Sequence, residues 1–330
     1  MNKLSAINRQ LSAVGVRLST VGAGMKAVLS GDPAPPDDPN NLIDGAFLRQ
    51  VEALHFSAPR AATAGMAGEH ASRRKAHSIE FADHRSYVPG DDFRLIDWNV
   101  YARLGELCLK LTEARENLSV HLLIDCSASM DWGRPNKLLY AKRVAAALGA
   151  VALAGYDTVY LGLFGGDPHP VLPPLRGRNA VGPLLERLRA IEPGGGTDLA
   201  RSAAAYCEHV SRRGVAVLLT DFMAPAGHSE ALNYLARAGL HTTALHVLDQ
   251  QEETPALEGL LELHDCETDE LVKVGVTPGL LRRYAAHVET WSGELDDLCR
   301  AQHAHYVRVS TGVAPRALVL QALRREGVLR

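Results

Sequence analysis

Ser119-Val-His-Leu-Leu-Ile-Asp125-Cys-Ser-Ala-Ser-Met130 begins as an apolar run and ends in an acid followed by two hydroxyls at alternate positions. Further apolar runs follow it, separated by helical patterns, and that alternation is the signature of a parallel sheet covered on both faces. Residues 136–155 read as a helix, with Leu138, Ala141, Ala145, Leu148 and Ala152 on one side, and 157–164 as the second strand. Helices are expected at 179–191, 198–213 and 229–238, and strands at 215–221 and 241–248. The expected fold class is therefore α/β, a doubly wound, mostly parallel and Rossmann-like sheet. In such a sheet, ligands sit in the crevice at the carboxyl ends of the strands, at the point where strand order reverses.

Three loops at those ends carry oxygen side chains. The first strand delivers Asp125, Ser127 and Ser129; Gly194-Gly-Gly-Thr-Asp198 brings Thr197; and Val215-Ala-Val-Leu-Leu-Thr-Asp221 delivers Asp221. Hydroxyls, carboxylates and water are hard ligands, so a set without His or Cys selects Mg2+, or Mn2+, over zinc. Two carboxylates and three neutral hydroxyls leave the ion electrophilic, and a partner's carboxylate is an apt further ligand. Asp198 reads as a helix N-cap, and Asp131 and Lys137 as solvated or capping groups. Cys126 should point away from the hydroxyl face by strand alternation, as a small buried thiol.

The pattern Asp125-x-Ser127-x-Ser129 with Thr197 and Asp221 resembles the metal-ion-dependent adhesion site of von Willebrand factor type A domains. The resemblance implies that these five residues hold the ion and that an acidic ligand side chain completes its shell. Upstream, Glu80-Phe-Ala-Asp-His-Arg85-Ser-Tyr87-Val-Pro-Gly-Asp91-Asp92-Phe-Arg94-Leu-Ile-Asp97-Trp98-Asn-Val-Tyr-Ala-Arg103 resembles the preamble of the bacterial family catalogued as domain of unknown function 58. That resemblance runs from about residue 68 to the C terminus. It implies a protein partner, a MoxR-type AAA+ ATPase or its client, because many members are encoded beside such ATPases. Some members carry N-terminal membrane helices, which this sequence lacks.

Read from its residues alone, the preamble alternates Arg85, Arg94 and Arg103 with Asp91, Asp92 and Asp97 around a Pro89-Gly90 turn. Two readings stay open: salt bridges that pin an irregular arm, or a docking surface that includes Tyr87 and uses Trp98 as an aromatic anchor. The expected organisation is a flexible extension and Pro-rich linker at 1–40, the preamble arm at 41–118, and the type A-like domain at 119–310. A β-hairpin elaboration is expected at 249–276, within an acidic stretch, and a C-terminal helix at 311–330.

Composition narrows the function. Lys and Arg number 35 against 38 Asp and Glu, and the 6 Phe, 3 Trp and 9 Tyr are few for a chain of this length, so a nucleic-acid partner is not expected. Five scattered cysteines form no C-x-x-C pair, which suits reduced thiols in the cytoplasm. No segment reads as a membrane span. Gly22-Ala-Gly-Met-Lys-Ala27 matches a dinucleotide fingerprint, but prolines 33–39 stand where its crossover helix belongs. His303 and His305 have the same-face spacing of a strand, with no third ligand beside them in sequence. The sequence thus points to a metal-dependent protein-interaction module, an adaptor or chaperone-like subunit and not an enzyme. The alternative is a metal-dependent phosphohydrolase at the same site; against it, the motif is Asp-x-Ser and no His stands at these loops for acid–base work.

Overall fold

A computed structural model of the chain describes residues 41–57, 79–88, 96–114, 117–165, 172–210, 212–224, 226–264 and 271–330, with Asp38, Asp91 and Phe93. The dinucleotide-like stretch and nearly all of the Pro-rich linker lie outside the described residues, as do Cys266 and the tip of the 249–276 hairpin. Two compact units are present, residues 1–64 with 118–330 and residues 65–117. The first described helix, α1 (Gly45–Val51), belongs to the larger unit; Asp44 caps it, accepting from the Phe47 N–H at 2.6 Å. In the smaller unit, β1 (Ile79–Ser86) and β2 (Cys108–Ala114) pair antiparallel, with α2 (Trp98–Leu104) between them in the chain. A register shift between Phe81 and Asp83 marks a bulge in β1. Within the preamble, expected as an irregular arm, the described residues form a hairpin and a helix.

The larger unit is built on a six-stranded sheet. From Ser119 the chain runs through β3 (Ser119–Asp125), α3 (Lys137–Ala154), β4 (Thr158–Phe164), β5 (Leu175–Arg176), α4 (Val181–Arg189) and α5 (Leu199–His209). It continues through β6 (Gly214–Thr220), α6 (His228–Arg237), β7 (Leu240–Leu248), α7 (Gln250–Glu253), the hairpin β8 (Gly259–His264) and β9 (Leu271–Val276), α8 (Pro278–Ala301) and β10 (His305–Ser310). Strand order is β10-β7-β6-β3-β4-β5, parallel except for the short edge pairing of β4 with β5. The chain leaves β3 toward β4 on one side and later fills β6, β7 and β10 on the other. The order therefore reverses beside β3, and the crevice this opens lies between the carboxyl ends of β3 and β6.

Helices cover both faces. One layer contains α3, α4 and α1, whose Phe47 and Val51 join Val120, Leu122, Val217 and Leu245 in a single core. The opposite layer packs α5, α6 and α8 against Leu123, Ala216, Leu218 and Ala244. Burial of α3 is nearly complete: every residue but Lys142 is inside. An Ala-rich helix suits that position because small side chains let the sheet, α1 and α4 approach it closely. Asn136 caps its start, accepting from the Leu139 N–H at 3.0 Å.

Two boundaries differ from the sequence reading. Residues 41–57, expected within the preamble arm, are part of the α/β core. His55 and Ser57 donate to the carbonyls of Arg330 and Val328 at 3.0 Å each, and Arg330 donates back to His55 at 2.9 Å. The C-terminal helix, expected at 311–330, is shorter: Pro315–Ala317, a π turn at Leu318–Ala322 and Leu323–Arg325 follow one another without a gap. His303 sits in a left-handed turn before β10, with φ +55°, so it does not share a strand face with His305.

Candidate functional site

Asp125 ends β3 and Asp221 follows the last residue of β6, and both carboxylates are fully buried. Asp125 is held from two sides. Its Oδ1 accepts from the Ser127 N–H at 3.0 Å and its Oδ2 from the Thr220 hydroxyl at 2.6 Å. The Ser127 and Ser129 hydroxyl oxygens are 3.0 Å apart, on side chains that are also buried. Burial, followed by the neighbouring charge of Asp221, pushes the Asp125 pKa up to about 6. Its hydrogen bonds oppose that rise without cancelling it. A carboxylate in this condition favours any arriving cation.

Thr197 stands on a loop that is stitched to the first one. The Ala128 N–H donates to Gly195 O at 3.0 Å and the Gly194 N–H to Cys126 O at 2.9 Å. Gly195 needs φ +72° there, a conformation that glycine adopts at little cost. Thr197 is half-buried two residues further on. Asp198 caps α5, accepting from the Arg201 N–H at 2.9 Å, and so is committed elsewhere. The Cys126 thiol donates to Phe164 O at 3.1 Å, away from the hydroxyl pair, and burial pushes its pKa up to about 11.

Lys137 was expected as a solvated or capping group, and the structure corrects this. Its side chain is 1% exposed, and its Nζ donates to Asp221 Oδ2 at 2.7 Å and to Glu252 Oε1 at 2.6 Å. Burial works to lower the lysine pKa, but the two carboxylates together hold it above the ordinary range. The same ammonium keeps Asp221 ionised against the opposing effect of burial, so its pKa lies below the usual carboxylate value. Asp221 Oδ1 accepts from the Met223 N–H at 3.0 Å.

Glu252 is fixed in turn by a capping box on α7. Its Oε2 accepts from the Asp249 N–H at 2.8 Å, and Asp249 accepts from Gln251, from Arg134 and from the Thr311 hydroxyl. Thr220, Lys137, Asp249 and Glu252 therefore belong to the site's framework although the sequence reading did not include them. A capping box is visible in Asp249-Gln-Gln-Glu252, but nothing local pairs Lys137 with a residue more than a hundred positions away.

Of the preamble residues, Asp97 caps α2, accepting from Asn99 at 2.9 Å and Val100 at 3.3 Å, and Asp91 accepts from the Val88 N–H at 3.0 Å. Trp98 is 60% exposed and meets Tyr101 edge to face at 6.1 Å. Arg103 is exposed, Tyr87 is half-buried, and Arg85 sits opposite Leu109 in the β1–β2 register. Asp92 and Arg94 lie outside the described residues. Among the described residues, no helix is long and apolar enough to cross a membrane.

Residues 83–292 match the family described as protein of unknown function DUF58. The uncharacterised protein Rv1480 of Mycobacterium tuberculosis is 27% identical over 264 residues, covering 78% of each chain, and the uncharacterised protein Mb1516 of Mycobacterium bovis matches to the same degree. Among solved structures, the conserved hypothetical protein BatB from Bacteroides thetaiotaomicron is 19% identical, covers 64% of this chain and 98% of its own, and superposes with a TM-score of 0.42. An aerotolerance-related membrane protein from Bacteroides fragilis is 17% identical with the same coverage and a TM-score of 0.41.

Proposed function

The chain belongs to the DUF58 family, and from that membership and the β3–β6 crevice we propose a metal-dependent protein-interaction module of the von Willebrand factor type A kind. Asp125, Ser127, Ser129, Thr197 and Asp221 would hold Mg2+, with Mn2+ as a substitute. When bound, the ion supplies a Lewis-acidic position for an acidic side chain of a partner. The partner we propose is a MoxR-type AAA+ ATPase or the client it remodels. The preamble residues Arg85, Tyr87, Asp91, Asp92, Arg94, Asp97, Trp98 and Arg103 are candidates for docking it.

One observation carries the reading. A buried carboxylate with a raised pKa, Asp125, stands with two buried hydroxyls and a second buried carboxylate at the sheet's switch point. The donors are all oxygen, which fits a hard divalent ion. The donors to Asp125 are neutral, among them the Ser127 N–H and the Thr220 O–H, and among the described residues no cation bonds to it as Lys137 does to Asp221. Its environment thus favours a bound cation over an empty, ionised site.

The test uses purified protein, titrated with Mn2+ in a calorimeter and mixed with the MoxR-type ATPase of the same genome in Mg2+ or EDTA. Wild type is expected to bind Mn2+ and to retain the ATPase only with the metal, and Asp125→Ala to do neither. Because Asp125 must release its proton to bind an ion, Mn2+ affinity should strengthen as pH rises through about 6. Retention that ignores both metal and Asp125→Ala would sink the adhesion-site reading. Phosphatase turnover lost in Asp125→Ala would put the hydrolase reading in its place.

A further inference from the structure

We infer that Lys137 is the standing counter-charge of the cation site: it keeps Asp221 paired whether or not a divalent ion is present. The inference rests on the cation reading of Asp125 and Asp221, and it adds how the site survives without its ion. Lys137 joins Asp221 and Glu252 through its one ammonium, and Asp125, whose carboxyl feels the charge of Asp221, is the third acid of the set. With all of them ionised the set carries a net charge of −2, which a single divalent ion neutralises. Without Lys137, Asp221 and Glu252 would be carboxylates in a buried setting with no cation between them, an arrangement that proteins avoid because desolvated charge must be paired.

Placement argues against Lys137 being an incidental ion pair. It is the first residue of α3, set there by the Asn136 cap, and its N–H donates to Trp132 O at 2.8 Å. Its second partner is locked by the α7 capping box, so neither end of the bridge can drift. Asp221 Oδ2 is taken by the ammonium and Oδ1 by Met223. Asp221 is therefore presented in a fixed pose and already charge-compensated, while Asp125 is left uncompensated. The consequence is a site whose ion can come and go with a partner while the fold stays intact, in contrast to structural metals, whose binding energy is folding energy.

Lys137→Met tests this by removing the ammonium and keeping the side-chain length. In EDTA the variant should melt several degrees below wild type, and saturating Mn2+ should raise its melting temperature by more than it raises that of wild type. Its Mn2+ affinity should be tighter than wild type by about tenfold or more, since a competing positive charge beside Asp221 is gone. A merely structural lysine would weaken Mn2+ binding when removed. If Lys137→Met does not fold in EDTA, Lys137→Met combined with Glu252→Gln removes the stranded second carboxylate and gives the same reading. Equal or weaker Mn2+ binding by either variant, with a Mn2+-induced melting shift no larger than wild type's, overturns the role of Lys137. Absence of Asp125-dependent Mn2+ binding in wild type itself is a different result: it defeats the cation reading, and the inference falls with it.

Discussion

His121 shows how far a single residue is remade by its surroundings. It lies in the middle of β3, fully buried, stacked on Tyr160 at 4.8 Å between ring centres and bonded through Nδ1 to the Tyr206 hydroxyl at 2.8 Å. Burial drives its pKa down to about 4. The unfolded chain binds this proton below about pH 6.5 and the native one does not. Stability is therefore fully present above that pH and is lost as pH falls toward about 4, by about 3 kcal/mol from this imidazole. Nuclear magnetic resonance should place the His121 midpoint near 4, and urea unfolding should show the acid loss shrinking in His121→Phe; a midpoint near 6.5 refutes this. The placement of Asp125, Ser127, Ser129 and Asp221 at the carboxyl ends of β3 and β6 was legible in sequence because these residues end or follow buried runs. Thr220, one residue before Asp221 and bonded to Asp125, was not, since a lone hydroxyl inside a strand has many uses.

At the scale of elements, β3, β4, β6 and β7 and the helices between them were legible because each has a strong local pattern, whereas β1, β2 and β5 were not. What the periodicity could not show was how completely α3 is buried; a one-sided stripe was expected, yet the Ala-rich face is covered too. Burial on all sides depends on what α1 and the C-terminal segments do, and no local window contains that information. Glycine choice within strands carries similar tertiary content. A Cβ on Gly214, the first residue of β6, would come within 2.0 Å of the Ser119 carbonyl oxygen on β3. Alanine is otherwise neutral to slightly favourable against glycine in a strand. The backbone clash should dominate, so Gly214→Ala is expected to cost about 1–3 kcal/mol, seen as a lower melting temperature. Mn2+ affinity should be unchanged, because Gly214 lies at the opposite end of the strand from Asp221. A variant as stable as wild type would show that β3 and β6 are not packed at this register.

For the whole molecule, the expected division into an arm at 41–118 and a domain from 119 gives way to a clasp. Residues 41–57 leave the preamble and close on the core, with α1 inserted beside α3 and the 55–57 backbone bonded to the last residues of the chain. The buried Arg143 of α3 also donates to the carbonyls of Asn41 and Asp38 at 3.4 and 3.3 Å. Phe47→Ala should thus destabilise the entire α/β unit by about 3–5 kcal/mol, measured as a shift of its urea midpoint. If 41–57 belonged energetically to the preamble, that midpoint would not move. The sequence by itself determined the α/β class, the order of the main strands and helices from Ser119 onward, and the oxygen side chains at two strand ends, because hydrophobic period and strand-end chemistry are local properties. Only the tertiary structure decided that Lys137 bridges Asp221 and Glu252, that Thr220 orients Asp125, and that residues 41–57 and the C-terminal segments seal one core. Those are contacts between residues far apart in the chain, fixed by which surfaces must be buried together and which charges must be paired once water is gone.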